Sequence, residues 1–262
     1  MSLLNSPIIE FKNVSKNFSS SQNSQFVIHD ISFSINREEF VCLLGPSGAG
    51  KTTILNLIAG FYKPCSGDVL FNGENIKRPG SKRAMVFQDY ALFPWLNVLD
   101  NVAFGLTTKK NISKEDAKAK ALSYLDLVGL KNCSHYSISS LSGGMKQRVA
   151  IARALCVEPE MLLLDEPFGA LDQNTRQLMQ NELVRIWSKS KKTIVFITHS
   201  VDEALLLADR VILLGGKPGS VLLDLKLDLD RPRHSNDTQL NRAREQIINK
   251  MNQPDQFMGS DI

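Results

Sequence analysis

Apolar and polar residues alternate through the first part of the chain, from Ile8 to Val14 and again from Val27 to Ile35, separated by the Ser-, Asn- and Gln-rich stretch Ser19 to Gln25. A period of two is what a strand with one covered face shows, so these segments predict antiparallel strands and a surface loop. From Phe40 the pattern changes to short unbroken apolar runs: Phe40–Leu44, Ala84–Phe87, Met161–Leu164, Thr193–Thr198 and Val211–Leu214. Strands covered by helices on both faces read this way, which predicts a parallel α/β sheet. The interval 89–158 is largely helical and too long for a single crossover, so it predicts an inserted helical subdomain. Within it, Ser113 and Asp116 form a capping-box pattern. Ala117, Ala121, Leu122, Leu125 and Val128 follow on one helical face, and Gly129 closes the helix. Residues 1–230 read as one domain, and 231–262 as a short polar tail with an amphipathic pattern from Leu240 to Met251 and a loose end.

Composition narrows the class without naming a chemistry. With 262 residues, 43% hydrophobic and 22% charged, the chain is an ordinary globular protein large enough to bury a sizeable core. A formal net charge of +4, spread over 31 Lys and Arg and 27 Asp and Glu, lacks the basic stripe of a nucleic-acid binder, so no nucleic-acid partner is expected. No run approaches the roughly 18–20 apolar residues of a membrane span. The start, Met1 to Pro7, lacks the basic and apolar segments of a secretory signal. Cys42, Cys65, Cys133 and Cys156 are scattered, which suits a reducing compartment and small neutral or buried roles.

The chemistry lies in the motifs. Gly45, Pro46, Ser47, Gly48, Ala49, Gly50, Lys51 and Thr52, continued by Thr53, fit G-x-x-x-x-G-K-[ST] between an apolar run and a helical one, the context that motif requires. Such a loop turns backbone N–H groups inward onto phosphate oxygens, with Lys51 placed for the β and γ phosphates and the Thr52 hydroxyl for Mg²⁺. Asp165 and Glu166 end the buried run Met161–Leu164. Asp165 is expected to hold Mg²⁺ through water. Alternation along an extended chain is expected to turn Glu166 elsewhere, toward the attacking water as base. Ser142, Gly143 and Gly144 open a second helix as a Ser cap followed by two glycines, a second potential anion site. Because the first loop already embraces a triphosphate, this second helix start is best used on the nucleotide of another chain.

These residues resemble a known family. The Walker A loop Gly45–Thr52, Gln88, the signature Leu141–Gln147, the Walker B carboxylates Asp165 and Glu166, the turn Ala170-Leu171-Asp172 and the Thr198-His199 switch follow the order of ABC transporter ATPase subunits. The resemblance covers about Ile8 to Leu229. It implies a P-loop NTPase core with a mixed sheet, an N-terminal antiparallel β subdomain and an inserted helical subdomain. It implies ATP and Mg²⁺, the metal held by Thr52, Gln88 and Asp165. It further implies that Glu166, His199 and Gln88 act in catalysis, that Asp172 lies at a dimer seam, and that Ser142, Gly143 and Gly144 meet the partner's γ-phosphate. Phe18 falls where the family places an aromatic, often Tyr, to stack on adenine. His29, His135 and His234 read as core or loop residues. Glu38 stands where relatives commonly have Gly, and is expected to fit if that turn keeps φ negative.

Phe93, Pro94, Trp95 and Leu96 form an apolar loop beside Gln88, which suggests a docking surface. With Arg78-Pro79-Gly80-Ser81-Lys82, Pro218-Gly219-Ser220 and Arg231-Pro232-Arg233, the loop resembles the nitrate/sulfonate/taurine importer branch. That branch implies a homodimer or a pair with a second ABC ATPase, two transmembrane permease subunits and an extracytoplasmic substrate-binding protein. It also implies a peripheral place on the cytoplasmic face of the cell membrane. Two other classes remain: a soluble ABC ATPase acting on nucleic acid or ribosomes, and a nucleotide-regulated scaffold. The first would show two cassettes, a coiled coil or a basic arm. The second would lack Lys51, Glu166 or His199.

Overall fold

A computed structural model of the chain describes residues 6–18, 25–108, 111–169, 171–231, 233 and 237–253. Most of the Ser19–Gln25 loop, Ala170, Pro232 and His234 lie outside the described residues. The chain divides into two compact units, one made of Met1–Gly80 with Thr193–Ile262 and the other of Ser81–Lys192. The interval 89–158 falls inside the second unit, which also holds two strands and a long helix.

The first unit contains two sheets. In one, β1 (Ile9–Asn17) pairs antiparallel with β2 (Phe26–Ile35) and with β4 (Ser66–Phe71), and β4 continues to the short β5 (Glu74–Asn75). The predicted alternation is visible in the buried Ile9 and Phe11 and is broken by a register irregularity before the buried Val14; Phe11 stacks on Phe33 at 4.6 Å. The other sheet is built on β3 (Phe40–Leu44), whose five residues are all buried. β3 lies parallel to β8 (Thr193–Thr198) and to β9 (Arg210–Gly215), and β10 (Ser220–Lys226) closes antiparallel on β9. Unbroken runs of Val, Ile and Leu buried on both faces therefore became parallel strands, as the pattern predicts. α1 (Lys51–Ala59) follows β3, and α6 (Val201–Leu207) follows β8.

The stretch read as a polar tail is tied down. α7 (Thr238–Met251) buries Leu240, Ala243 and Ile247 and packs on α6, with Arg244 bonded to Asp202. Arg233 is buried, and its guanidinium donates to the carbonyls of Leu205 at 2.7 Å, Ala208 at 2.6 Å and Leu229 at 2.9 Å. Two of those carbonyls, Leu205 and Ala208, belong to the C-terminal end of α6, where a helix presents partial negative charge. Burial nevertheless pushes the Arg233 pKa down to about 10.

In the second unit β6 (Arg83–Val86) runs parallel to β7 (Met161–Asp165). Three helices, α2 (Val98–Thr107), α3 (Lys114–Leu127) and α4 (Gly143–Cys156), pack against one another, and α5 (Gln173–Ser190) follows β7. The Ser113 hydroxyl caps α3 by accepting from the Asp116 N–H at 3.0 Å, and Gly129 at φ 69° turns the chain out of the helix. Both were legible in the sequence.

Glu38 does not keep φ negative. Its φ is +61°, and its N–H donates to the Thr193 hydroxyl at 2.9 Å, which fixes the turn in the left-handed region. A side chain there costs about 1–2 kcal/mol, partly offset by glycine's greater loss of freedom on folding, roughly 0.5–1 kcal/mol. Glu38→Gly should therefore raise the unfolding free energy by about 0.5–1 kcal/mol, measured by denaturant titration. An unchanged or lower midpoint would show that the carboxylate compensates for the strain.

Candidate functional site

In the first unit the site begins where two parallel strands stop together. The register pairs Leu44 with Thr198, so the loop Gly45–Gly50 and His199 leave the sheet at the same edge. Gly45 takes φ 152°, and a Cβ on it would lie 2.3 Å from the Leu214 carbonyl oxygen, so the backbone passes where no side chain fits. Gly50 is left-handed at φ 86° and would drive a Cβ to 2.3 Å from Ile28 Cγ2. It stands at the N-cap of α1 with no side-chain cap hydrogen bond, so the first turn of that helix, which includes Thr52 and Thr53, is offered to an anion by its own backbone. The buried Lys51 folds back over the loop, its Nζ donating to the Gly45 and Pro46 carbonyls at 2.8 Å each. Pro46, Ser47, Gly48 and Ala49 complete the turn, with the Ala49 N–H closing on the Pro46 carbonyl at 3.3 Å.

His199 sits in a bonded corner. The Ser200 N–H donates to Thr198 Oγ1 at 3.0 Å, the Ser200 side chain accepts from the Glu203 N–H at 3.3 Å, and the Thr198 hydroxyl donates to the buried Glu203 carboxylate. Glu203 was missed in the sequence, although Ser200 and Glu203 have capping-box spacing. Burial, with the Glu203 charge adding to it, holds the Cys42 thiol well above its ordinary pKa, so Cys42 stays protonated and offers no nucleophile. Cys156 is also buried, whereas Cys65 is exposed with its thiol 3.0 Å from Asn17 Oδ1. Phe18, at the end of β1, is exposed and meets Tyr62 edge-on at 5.0 Å, with Lys16 Nζ 5.2 Å from its ring. His29 and His135 are surface residues.

The second unit assembles the other candidates. β6 and β7 end in register at Val86 and Leu164, which places Gln88 and the pair Asp165 and Glu166 beyond one edge. Alternation along an extended strand does not set the direction of Glu166. Asp165 is the last strand residue, and Glu166 turns away at φ +42°, a left-handed conformation tied by the Gly169 N–H to the Glu166 carbonyl at 3.1 Å. A Cβ on Gly169 would lie 3.9 Å from both Gln88 Nε2 and Glu166 Oε2, so the amide and the carboxylate face one small volume.

Ser142 caps α4 by accepting from the Met145 N–H at 3.3 Å. Gly144 packs on the first turn of α5, where a Cβ would come within 2.9 Å of Thr175 Cγ2. Asp172 caps that same turn through the Thr175 N–H at 3.0 Å. Hydrogen bonds from the Thr175 side chain and backbone hold the Asp172 carboxyl below the usual range. The start of α4, with Gly144, and the Asp172-capped start of α5 thus stand together.

The chain belongs to the ABC transporter family.

That family matches residues 28–169. A nitrate import ATP-binding protein of Synechococcus elongatus is 43% identical over 232 residues, covering 88% of this chain and 85% of its own. A taurine import ATP-binding protein of Sinorhizobium fredii is 51% identical over 202 residues, covering 77% and 75%. Among solved structures, a dimeric ATP-binding cassette bound to ADP and Pi in a post-hydrolysis state superposes with a TM-score of 0.74 at 32% identity. It covers 85% of this chain and all of that one. The motif order had pointed to the same family, and its fold is the one observed.

The apolar loop has a buried support that the ABC motifs do not name. Asn101, 0% exposed within α2, accepts from the Phe93 N–H at 2.8 Å and donates to the carbonyls of Phe93 at 3.0 Å and Leu96 at 3.2 Å. Phe93 folds back on Phe104 at 4.4 Å, whereas Trp95 stands 76% exposed. Asn101 follows Asp100 in α2, so its polarity alone gave no signal in the sequence. Asn101→Ala strands a Phe93 N–H and should lower the unfolding free energy by about 2–3 kcal/mol, read from the shift in denaturant midpoint.

Proposed function

We propose that the chain is the ATP-hydrolysing subunit of an importer for small anionic or zwitterionic nutrients. The observation that supports this best is the loop Gly45–Lys51 ahead of the uncapped start of α1, with Lys51 folded over it. Backbone N–H groups and one ammonium meeting at a helix start form a polyphosphate cradle, not a general anion site. Gly45, Pro46, Ser47, Gly48, Ala49, Gly50, Lys51, Thr52 and Thr53 hold the phosphates, and Phe18 stacks on adenine. Thr52, Gln88 and Asp165 are the donors proposed for Mg²⁺, a hydroxyl, an amide oxygen and one carboxylate. That oxygen-only set suits a hard cation that keeps waters and shares phosphate oxygens. When bound, Mg²⁺ neutralises charge on the phosphates.

The hydrolytic step needs an oriented water and a place for its proton. Glu166 takes the proton as the water oxygen bonds to the γ-phosphorus and the bond to the β–γ bridging oxygen breaks, leaving ADP and phosphate. Gln88 orients the water from the other side of the volume at Gly169, and His199 donates to the γ-phosphate. Two copies, or this chain and a second ABC ATPase, close head to tail so that Ser142, Gly143 and Gly144 of one meet the γ-phosphate held by the other, with Asp172 at the seam. The exposed Trp95 and its neighbours dock the transmembrane permease subunits, which in turn receive an extracytoplasmic binding protein. No helix among the described residues is long and apolar enough to cross a membrane, so peripheral attachment at the cytoplasmic face through that loop is part of the proposal. Nitrate and taurine are the substrates named for two relatives and define the class to test first.

Glu166→Gln should reduce ATP hydrolysis by at least about 100-fold while ATP still binds, and should trap a dimer on size exclusion with ATP. Hydrolysis at the wild-type rate would remove Glu166 from the mechanism. Trp95→Ala should leave the affinity for ATP unchanged and lower substrate uptake by the assembled transporter. Uptake at the wild-type level would place the docking surface elsewhere.

A further inference from the structure

The turn after Gln88 is strained and externally held. Tyr90 and Ala91 are left-handed in succession, at φ 63° and 45°, and neither is glycine. The turn's own bond runs from the Tyr90 N–H to the Phe87 carbonyl at 3.0 Å, and the carbonyls of Tyr90 and Ala91 are directed toward α4. There the Arg153 guanidinium takes both, Nη2 donating to the Tyr90 oxygen at 2.9 Å and Nη1 to the Ala91 oxygen at 2.6 Å. The same guanidinium lies 5.5 Å from the Phe93 ring centre; burial lowers its pKa, and the charge of Asp89 acts the other way. At the other end of α4 the Tyr90 hydroxyl comes to 3.5 Å from the position a Cβ on Gly143 would take. One short turn therefore touches the helix at its first residue and, through Arg153, ten residues further on, about 15 Å along the axis.

We infer that Arg153 is a positioning residue that, with Tyr90, latches the turn behind Gln88 onto α4, so that this turn and the signature Ser142–Gly144 hold one relative position. Two non-glycine residues in this conformation persist only where the surroundings over-determine them. A planar fork presents its paired donors in a fixed geometry and so holds two carbonyls in one orientation, which the rotatable ammonium of a lysine does not impose. A displacement of the loop Phe93–Leu96 is then passed to the signature as a shift of the whole helix. The inference rests on the ATPase reading for its effect on rate, though not for its structural content.

The test uses the purified full chain. Arg153→Gln should lower kcat for ATP hydrolysis about tenfold while KM changes less than twofold. Backbone amide exchange should speed up at both 89–92 and 142–146. Adding Ala91→Gly, which lets the turn stay left-handed without its clamp, should bring kcat to within about threefold of wild type and restore protection in both segments. A merely structural Arg153 gives a lower melting temperature and no recovery on adding Ala91→Gly, and that outcome overturns the latch. If Arg153→Gln does not fold, Arg153→Lys with and without Ala91→Gly is read in the same way: rescue supports the latch and its absence overturns it. Wild-type chain without ATP hydrolysis would instead overturn the ATPase reading, and the exchange measurement, made without ATP, would still decide the latch.

Discussion

The pairing of β3 with β8 is the constraint on which the nucleotide half of the molecule depends. Ten residues, every one buried, lock two parallel strands so that both stop at one edge, Leu44 beside Thr198. β3 is held in register with β9 as well, Leu44 beside Leu213, and a shift by one residue there would carry Gly45 away from the Leu214 carbonyl, where a Cβ has no room. The loop and the His199 corner are therefore consequences of a register fixed by apolar burial. Their chemistry is polar throughout, but their position is set by Val, Ile, Leu and Phe.

Backbone conformations with positive φ fall into two groups at these sites, separated by what supports them. In the phosphate loop, Gly45 and Gly50 have neighbours where a Cβ would go, so glycine is the only residue that fits. At Glu38, Glu166, Tyr90 and Ala91 side chains are present, and hydrogen bonds fix the backbone instead: Thr193 at Glu38, Gly169 at Glu166 and Arg153 at the last two. For Glu166 the side chain is itself the proposed base, so glycine is excluded by function and the turn keeps its strain.

This division explains what could be read in advance. The five apolar runs, the antiparallel start and the α3 caps were legible because each rests on local pattern, periodicity or a motif of fixed spacing. The sign of φ at Glu38 was misjudged because it depends on the Thr193 hydroxyl, 155 residues away in sequence. The direction of Glu166 was reasoned from strand alternation, yet the strand ends one residue earlier. After Asp230 the amphipathic pattern from Leu240 to Met251 was legible as the helix it forms, whereas the guanidinium bonds of Arg233 to helix carbonyls leave no mark in hydropathy. Asn101 and Arg153 escaped notice for the same reason: each acts on backbone atoms, and any sequence at Phe93 or Tyr90 would present those atoms alike.

Exposure and rigidity meet at the aromatic loop in a way that composition alone could not anticipate. A Trp left 76% exposed on a mobile segment would lose conformational freedom on binding a partner, which weakens association. Here the backbone beneath Trp95 is already ordered: Asn101 bonds the loop at Phe93 and Leu96 and Phe93 is stacked on Phe104, while Arg153 holds the turn just ahead of it. The entropy of arranging that loop is therefore lost on folding, and the docking proposed for it would not have to supply it. Buried polar bonds with no apolar role of their own thus make an exposed apolar side chain useful, because they turn a hydrophobic surface that would invite non-specific contact into one of defined shape.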